Sequence, residues 1–168
     1  MSGKSHMTQA MIALGITAAS FAGVMLLFRF LGKPQALGSS AGLNPCAGSP
    51  NCVCSTDARP AHHVEPWHSP HDPEQTAARL AVLVRDMPHA RVTLHEPAGG
   101  YVRAEFRSVV FRFIDDVEFL CQAAGGGKGT VIQVRSASRA GHSDLGVNRR
   151  RVRMLREAWE ASLGGEKP

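Results

Sequence analysis

The stretch YVRAEFR, residues 101–107, alternates apolar and polar side chains with a period of two. In a β-strand this period places Val102, Ala104 and Phe106 on one face and the polar residues on the other. The stretch TVIQVRSAS, residues 130–138, repeats the pattern. Strands with one apolar face are typical of an antiparallel sheet that helices cover on one side. The two stretches therefore predict such a sheet.

Helical patterns stand before and after these strands. The segment DPEQTAARLAVLVRDM starts with a capping aspartate followed by proline, and it predicts a helix over residues 73–87. Near the C-terminus, Val152, Leu155 and Trp159 recur at helical spacing and predict a helix over residues 148–163. The expected fold class is α+β.

Two further segments have the composition of strands. They are RVTLHE at residues 91–96 and VVFRFI at residues 109–114. Asp115 and Asp116 follow the second segment and favour a turn. We therefore expect a small antiparallel sheet of about four strands, with one helix before and one after it, in a domain over residues 73–164.

The N-terminal part of the chain is apolar. Residues 11–28, MIALGITAASFAGVMLLF, contain no charged side chain, and a helix needs roughly 20 such residues to cross a bilayer. The sequence thus predicts an N-terminal transmembrane helix over residues 10–31, behind an N-terminal tail at residues 1–9. No small-residue cleavage site closes the apolar run directly, so we expect an uncleaved anchor.

Residues 32–72 are rich in Pro, Gly, Ser and His and show no regular period, which predicts an extended tether. The four cysteines of the chain are an even number, and this suits disulfides in an oxidising compartment. They are Cys46, Cys52, Cys54 and Cys121. Sequence leaves all three pairings open. We expect a bacterial inner-membrane protein with a single-pass anchor and a periplasmic domain.

The tether also carries thiols and imidazoles, which copper and zinc prefer as ligands. The nearest set is Cys52, Cys54, His62 and His63. Because the spacing matches no standard zinc motif, we expect no metal and no cofactor. Cys52 or Cys54 would serve a thiol-dependent or hydrolytic enzyme only if a base approached it. Metal binding and such an enzyme are the alternatives to a non-catalytic domain.

The stretch VRSASRAGHSDLGVNRRRV, residues 134–152, is dense in arginine. If Asn148 caps the last helix, three arginines occupy the first turn, where the helix dipole disfavours cations by about 0.3–1 kcal/mol each. Either Asp144, with Asp115 or Asp116, neutralises them inside the fold, or an anion binds there. The candidate anion- or partner-binding residues are Arg135, Ser136, Ser138, Arg139, Asp144, Asn148, Arg149 and Arg151.

Three segments carry a family resemblance: SPNCV at residues 49–53, DDVEF at residues 115–119 and the arginine-rich stretch. Over residues 45–163 the sequence resembles the bacterial and plastid family called domain of unknown function 1499. The resemblance implies a small membrane-associated domain and brings no known activity.

Two residues depart from that family's pattern. Cys54 stands where a serine is usual. A disulfide that involves Cys54 or Cys121 therefore competes with the Cys46–Cys52 pairing. His142 stands where an aromatic residue is usual, which argues against any mechanism that requires a phenol there.

The formal net charge of +5 favours acidic partners. We expect a non-catalytic, membrane-anchored extracytoplasmic domain that binds an anionic small molecule, a lipid headgroup or an envelope protein. We expect no nucleic acid as a partner. The sequence leaves the oligomeric state open.

Overall fold

The computed structural model describes residues 2–31, 34–110 and 112–164. They fall into two compact units, Met1–Gly32 and Lys33–Pro168. The first unit is one helix, α1 (Ser2–Leu31). Among the described residues, no helix is long and apolar enough to cross a membrane. This finding overturns the transmembrane anchor predicted over residues 10–31.

The second unit is built on a six-stranded antiparallel sheet. Its strands are β1 (Cys52–Cys54), β2 (Trp67–Ser69), β3 (Ala90–Glu96), β4 (Tyr101–Arg107), β5 (Ile114–Ala123) and β6 (Thr130–Ser138). The order across the sheet is β1-β6-β5-β4-β3, and β2 also pairs with β6. The longest strands, β5 and β6, therefore lie in the middle of the sheet.

Two helices, α2 (Pro73–Arg85) and α3 (Val147–Gly164), cover one face of this sheet. As predicted, Asp72 caps α2, since its carboxylate accepts the N–H of Gln75 at 2.8 Å. The predicted apolar stripe of α3 is buried, and it packs with α2 and the apolar side of β4 into one core. Burial of each large apolar side chain contributes about 1.5–3 kcal/mol.

The expected number of about four strands is wrong, because β1 and β2 were not predicted. Both come from the segment 32–72 that the sequence assigned to a tether. They pair end to end along one edge of β6, with Trp67 opposite Ile132 and Val53 opposite Ser136. Each has only three residues, too few for an alternating pattern to be visible in the sequence. They protect the edge of β6 from further strand pairing.

Of the segment 109–114, predicted as a strand, residues 109, 110, 112 and 113 belong to the connection between β4 and β5, and residue 111 lies outside the described residues. The apolar residues Val109 and Val110 are exposed, so composition alone was misleading here. The strand begins instead at Ile114, and Asp115 and Asp116 lie inside it rather than in a turn. Both carboxylates consequently enter the sheet, where they need partners.

Residues 34–51, which we call the strap, cross the face of the sheet that the helices leave uncovered. The N–H of Gly38 donates to Glu118 of β5 at 2.6 Å, and the amide of Gln35 donates to the carbonyl of Ser138 at 3.1 Å. The fully buried core residues of the second unit all lie between residues 46 and 159. With its own core and a complete sheet, Lys33–Pro168 has what an independently folding domain needs.

Candidate functional site

A buried ion pair occupies the centre of the face beneath the strap. Arg135 Nη1 lies 2.7 Å from Glu118 Oε2, and the two side chains are 1% and 0% exposed. Tyr101 donates its hydroxyl to the other oxygen of Glu118 at 2.6 Å. Gln35 of the strap accepts from Arg135 at 3.1 Å. Burial, followed by the hydrogen bond to this carboxylate, raises the pKa of Tyr101, which stays a neutral donor.

A second pair lies beside the first, where Arg139 joins two carboxylates. Its guanidinium contacts both oxygens of Asp116, at 2.8 and 2.7 Å, and one oxygen of Glu105 at 2.6 Å. The hydrogen bond to Asp116 comes first among the causes that raise the pKa of Arg139. Burial alone would raise the pKa of Glu105, but the hydrogen bond and charge of Arg139 outweigh it and lower that pKa.

The third arginine, Arg151, joins α3 to the helix-covered face of the sheet. It donates to Asp115 at 2.5 Å and to Asn148 at 2.7 Å, and its guanidinium lies 5.1 Å from the ring centroid of Phe106. Asn148 is fully buried and also bonds the hydroxyl of Ser136 at 2.6 Å. Three of the predicted residues, Ser136, Asn148 and Arg151, thus meet inside the fold.

The helix cap differs from the prediction, because α3 begins at Val147 and Asn148 lies inside it. Asp144 provides the cap: its carboxylate accepts the N–H of Asn148 at 2.7 Å and that of Gly146 at 2.9 Å. An anionic cap offsets the positive end of the helix dipole. Asn148 instead donates to the hydroxyl of Ser138 and to the carbonyl of Asn51, each at 2.9 Å.

Arg149 lies at the surface and contacts main-chain carbonyls. It donates to the carbonyls of Ala61 and His63, both at 2.8 Å. Arg150 donates to the carbonyl of Leu145 at 2.8 Å. These contacts hold the side chains in place without neutralising their charge. The arginines of the stretch therefore divide into buried ones that hold carboxylates and exposed ones that do not.

Four acidic residues pair with Arg135, Arg139 and Arg151. Glu105 and Glu118 are not among the residues predicted to bind an anion, and Asp115 and Asp116 were expected in a turn, with a second role as neutralisers of the arginines. A signal existed, because Glu118 and Arg135 are direct cross-strand neighbours, and opposite charges at such positions stabilise a sheet. The turn expected at Asp115 and Asp116 hid this signal, because the strand that holds Glu118 begins before both aspartates. The binding role of the eight candidate residues stays a prediction.

The predicted disulfide is confirmed and joins Cys46 to Cys52. Cys54 and Cys121 are buried free thiols. Burial raises the pKa of Cys121 to about 12, so that this thiol is protonated at neutral pH. Cys52 cannot act as the nucleophile of a thiol enzyme in this state, because its sulfur is part of the disulfide.

The metal-binding candidates of the tether are engaged in local contacts. His62 Nδ1 lies 3.0 Å from the carbonyl of Cys52, and His63 Nδ1 lies 3.0 Å from that of Asp57. The Cys54 sulfur lies 3.1 Å from the hydroxyl of Thr56. Within the part of the chain that the structure describes, no three His, Cys, Asp or Glu residues are grouped to hold a metal ion.

Comparison with known proteins identifies a family whose function is unknown. No curated protein matches the sequence. The crystal structure of a Deinococcus radiodurans protein, solved as a structural genomics target, is 20% identical, covers 60% of this chain and 95% of that one, and has a TM-score of 0.36. A likeness at that TM-score adds nothing to the fold described above. A family model described as "Protein of unknown function (DUF1499)" matches residues 42–159, most of the second unit. The chain therefore belongs to the DUF1499 family, as its motifs indicated.

Proposed function

We propose that this protein is a non-catalytic extracytoplasmic domain that binds an anionic group through arginines exposed on the first turns of α3. One observation carries the proposal: a shallow cavity of about 430 Å³ on the surface of α3. It is lined by Val147, Arg150, Arg151, Arg153, Met154 and Glu157. Arginine guanidinium groups suit phosphate and carboxylate ligands because they offer several donors in a fixed plane.

The charges around this cavity do not cancel. Arg151 is compensated by Asp115, which it contacts from the inner side. Arg150 and Arg153 are exposed, and neither forms an ion pair with another described residue. Glu157 is the carboxylate on the cavity wall, so that two uncompensated cations stand against one anion. The cavity keeps a net positive charge that favours an anionic ligand.

Cysteine chemistry supports the proposed extracytoplasmic compartment. The Cys46–Cys52 bridge ties the strap to β1, and disulfides of this structural kind persist in oxidising compartments. The bridge therefore supports a periplasmic domain. The buried state of Cys54 and Cys121 disfavours nucleophilic chemistry and so supports binding rather than catalysis.

The test is a thermal-unfolding titration of the domain Lys33–Pro168 with inorganic pyrophosphate and with glycerol 3-phosphate. A ligand at ten times its Kd stabilises a folded protein by about 1.4 kcal/mol, which raises the Tm by several degrees. We expect such a rise for at least one probe, and we expect the double variant Arg150→Ala, Arg153→Ala to abolish it.

The matched control is Arg85→Ala, which removes another exposed arginine, at the end of α2. It should keep the rise in Tm. If neither probe shifts the Tm of the unmodified domain, or if the control loses the shift as well, the proposed anion site is refuted.

A further inference from the structure

Two loops project from the same end of the sheet. Arg107 at the end of β4 is opposite Ile114 at the start of β5, and Asp115 is opposite Ser138 at the end of β6. The N–H of Arg139 donates to the carbonyl of Ile114 at 3.1 Å. Residues 108–110 and 112–113, the described part of the loop after β4, and the loop of residues 139–146 therefore lie side by side, and α3 starts from the second. We call these two loops and the first eight residues of α3 the loop end.

Exposed apolar side chains concentrate at the loop end. Within residues 34–110 and 112–164, six bulky aliphatic residues are exposed, and five of them lie at the loop end. Val109, Val110 and Leu145 are 70%, 76% and 84% exposed, respectively. Val147 and Met154 on α3 complete the set. Such a concentration is uncommon on a soluble surface and marks a site that contacts a partner protein or a membrane.

The backbone conformation of Leu145 also indicates that the loop end is a contact surface. Its φ is 52°, in the left-handed region that glycine and asparagine adopt at lower cost than leucine. The side chain contributes little to the core, since it is almost fully exposed. A leucine at this position is therefore costly for folding, and the site would suit a smaller or polar residue. Its presence points to a role outside the isolated domain.

The charge at the loop end is positive. Arg112, Arg150 and Arg153 are exposed there, while the nearby carboxylates Asp115 and Asp144 are engaged by Arg151 and by the helix cap. Glu157, just beyond the loop end on α3, is an exposed carboxylate beside these arginines. Aliphatic side chains flanked by arginines are the pattern with which peripheral proteins contact anionic lipid.

The distribution of the aliphatic residues favours a lipid surface over a protein partner. The most exposed ones belong to two different loops, Val109 and Val110 to the first and Leu145 to the second. Protein interfaces need close complementary packing over a continuous patch. A fluid lipid surface admits separate projecting side chains without such complementarity.

We propose that the loop end docks on an anionic lipid surface. Val109, Val110 and Leu145 enter the boundary between headgroups and acyl chains, and Arg112, Arg150 and Arg153 contact headgroup phosphates. This inference rests on the proposed function, because it identifies the anionic group held by α3 as a lipid phosphate.

The test is co-sedimentation of the domain Lys33–Pro168 with two kinds of vesicle: phosphatidylcholine mixed with phosphatidylglycerol, and phosphatidylcholine alone. We expect binding to the first kind, weakened by added salt, and much less binding to the second. The triple variant Val109→Ser, Val110→Ser, Leu145→Asn should weaken binding at least roughly tenfold, because three aliphatic side chains no longer enter the lipid.

This variant should fold, since the three side chains are exposed and asparagine suits the backbone at position 145. Its Tm is measured to confirm this. The matched control is Val82→Ser, which removes a valine that is 55% exposed on α2, outside the loop end. The control should bind vesicles like the unmodified domain.

The outcomes separate this inference from the proposed function. If soluble phosphate compounds still raise the Tm but vesicles with phosphatidylglycerol are not bound, the lipid is refuted as ligand and the anion site stands. If vesicles are bound equally by the triple variant, the role of the loop end is refuted. If neither vesicles nor soluble anions bind, both proposals fall.

Discussion

The face beneath the strap and the first turns of α3 both contain arginines, but the arginines differ in burial and in their partners. Beneath the strap, Arg135 is 1% exposed and faces Glu118 at 2.7 Å. On α3, Arg150 and Arg153 reach solvent without a carboxylate partner among the described residues. A buried charge costs several kcal/mol of desolvation and has to be paired, whereas an exposed one does not. The same residue type is therefore structural in one region and available to a ligand in the other.

The largest expected effect comes from breaking the buried pair. Replacing Glu118 by Gln leaves the guanidinium of Arg135 buried without a counter-charge, and removal of one partner of such a pair costs about 3–5 kcal/mol. Denaturant unfolding of the domain Lys33–Pro168 measures the loss as a lower transition midpoint. The strap should loosen as well, because Gly38 and Tyr101 donate to the same carboxylate.

A double variant checks the cause. Glu118→Gln combined with Arg135→Met removes both charges and should recover part of the lost stability, since no guanidinium is then left buried without a counter-charge. If Glu118→Gln costs less than about 1 kcal/mol, or the double variant is no better than the single one, charge burial does not explain the site.

A smaller effect is expected at the start of α3, where Asp144 caps the helix. Replacing Asp144 by Ala removes the acceptor for two main-chain N–H groups and should cost about 1 kcal/mol. The three arginines that follow make this cap more valuable than an ordinary one, because they raise the positive charge at the helix end.

The comparison variant is Asp72→Ala, which removes the cap of α2, a helix with an acidic first turn. Thermal unfolding of the two variants should show the larger drop in Tm for Asp144→Ala. An equal or larger drop for Asp72→Ala would contradict the argument that the three arginines increase the stabilisation that Asp144 provides.

The sequence predicted the face that helices cover better than the face that the strap covers. The strand of residues 101–107 and the helix after Asp72 carry regular patterns, and both appear as expected. Opposite the helices, pairing depends on register and on a strap without periodicity. The partnership of Glu118 with Arg135 needs two strands to be aligned, and the contact of Gly38 with Glu118 spans 80 residues. Such long-range contacts leave no local pattern to read.

The candidate site shows the same limit. Arginine density between residues 134 and 152 drew attention to the right stretch, but density cannot distinguish a buried arginine from an exposed one. Arg135 and Arg139 lie on the strap side of the sheet, while Arg151 turns inward from α3. Only the three-dimensional arrangement shows which cations remain for a ligand.

The smallest expected effect is the sharpest test of the comparison between the two regions. The single variants Arg150→Ala and Arg153→Ala should each change the free energy of unfolding by less than about 0.5 kcal/mol, as is usual for exposed positions. Arg151→Ala, one residue beyond Arg150, should instead cost about 1–3 kcal/mol because it leaves Asp115 buried without its hydrogen-bond donor. Chemical denaturation of the three variants measures this difference directly. If Arg150→Ala or Arg153→Ala destabilises the domain as much as Arg151→Ala, the exposed arginines belong to the structural network after all.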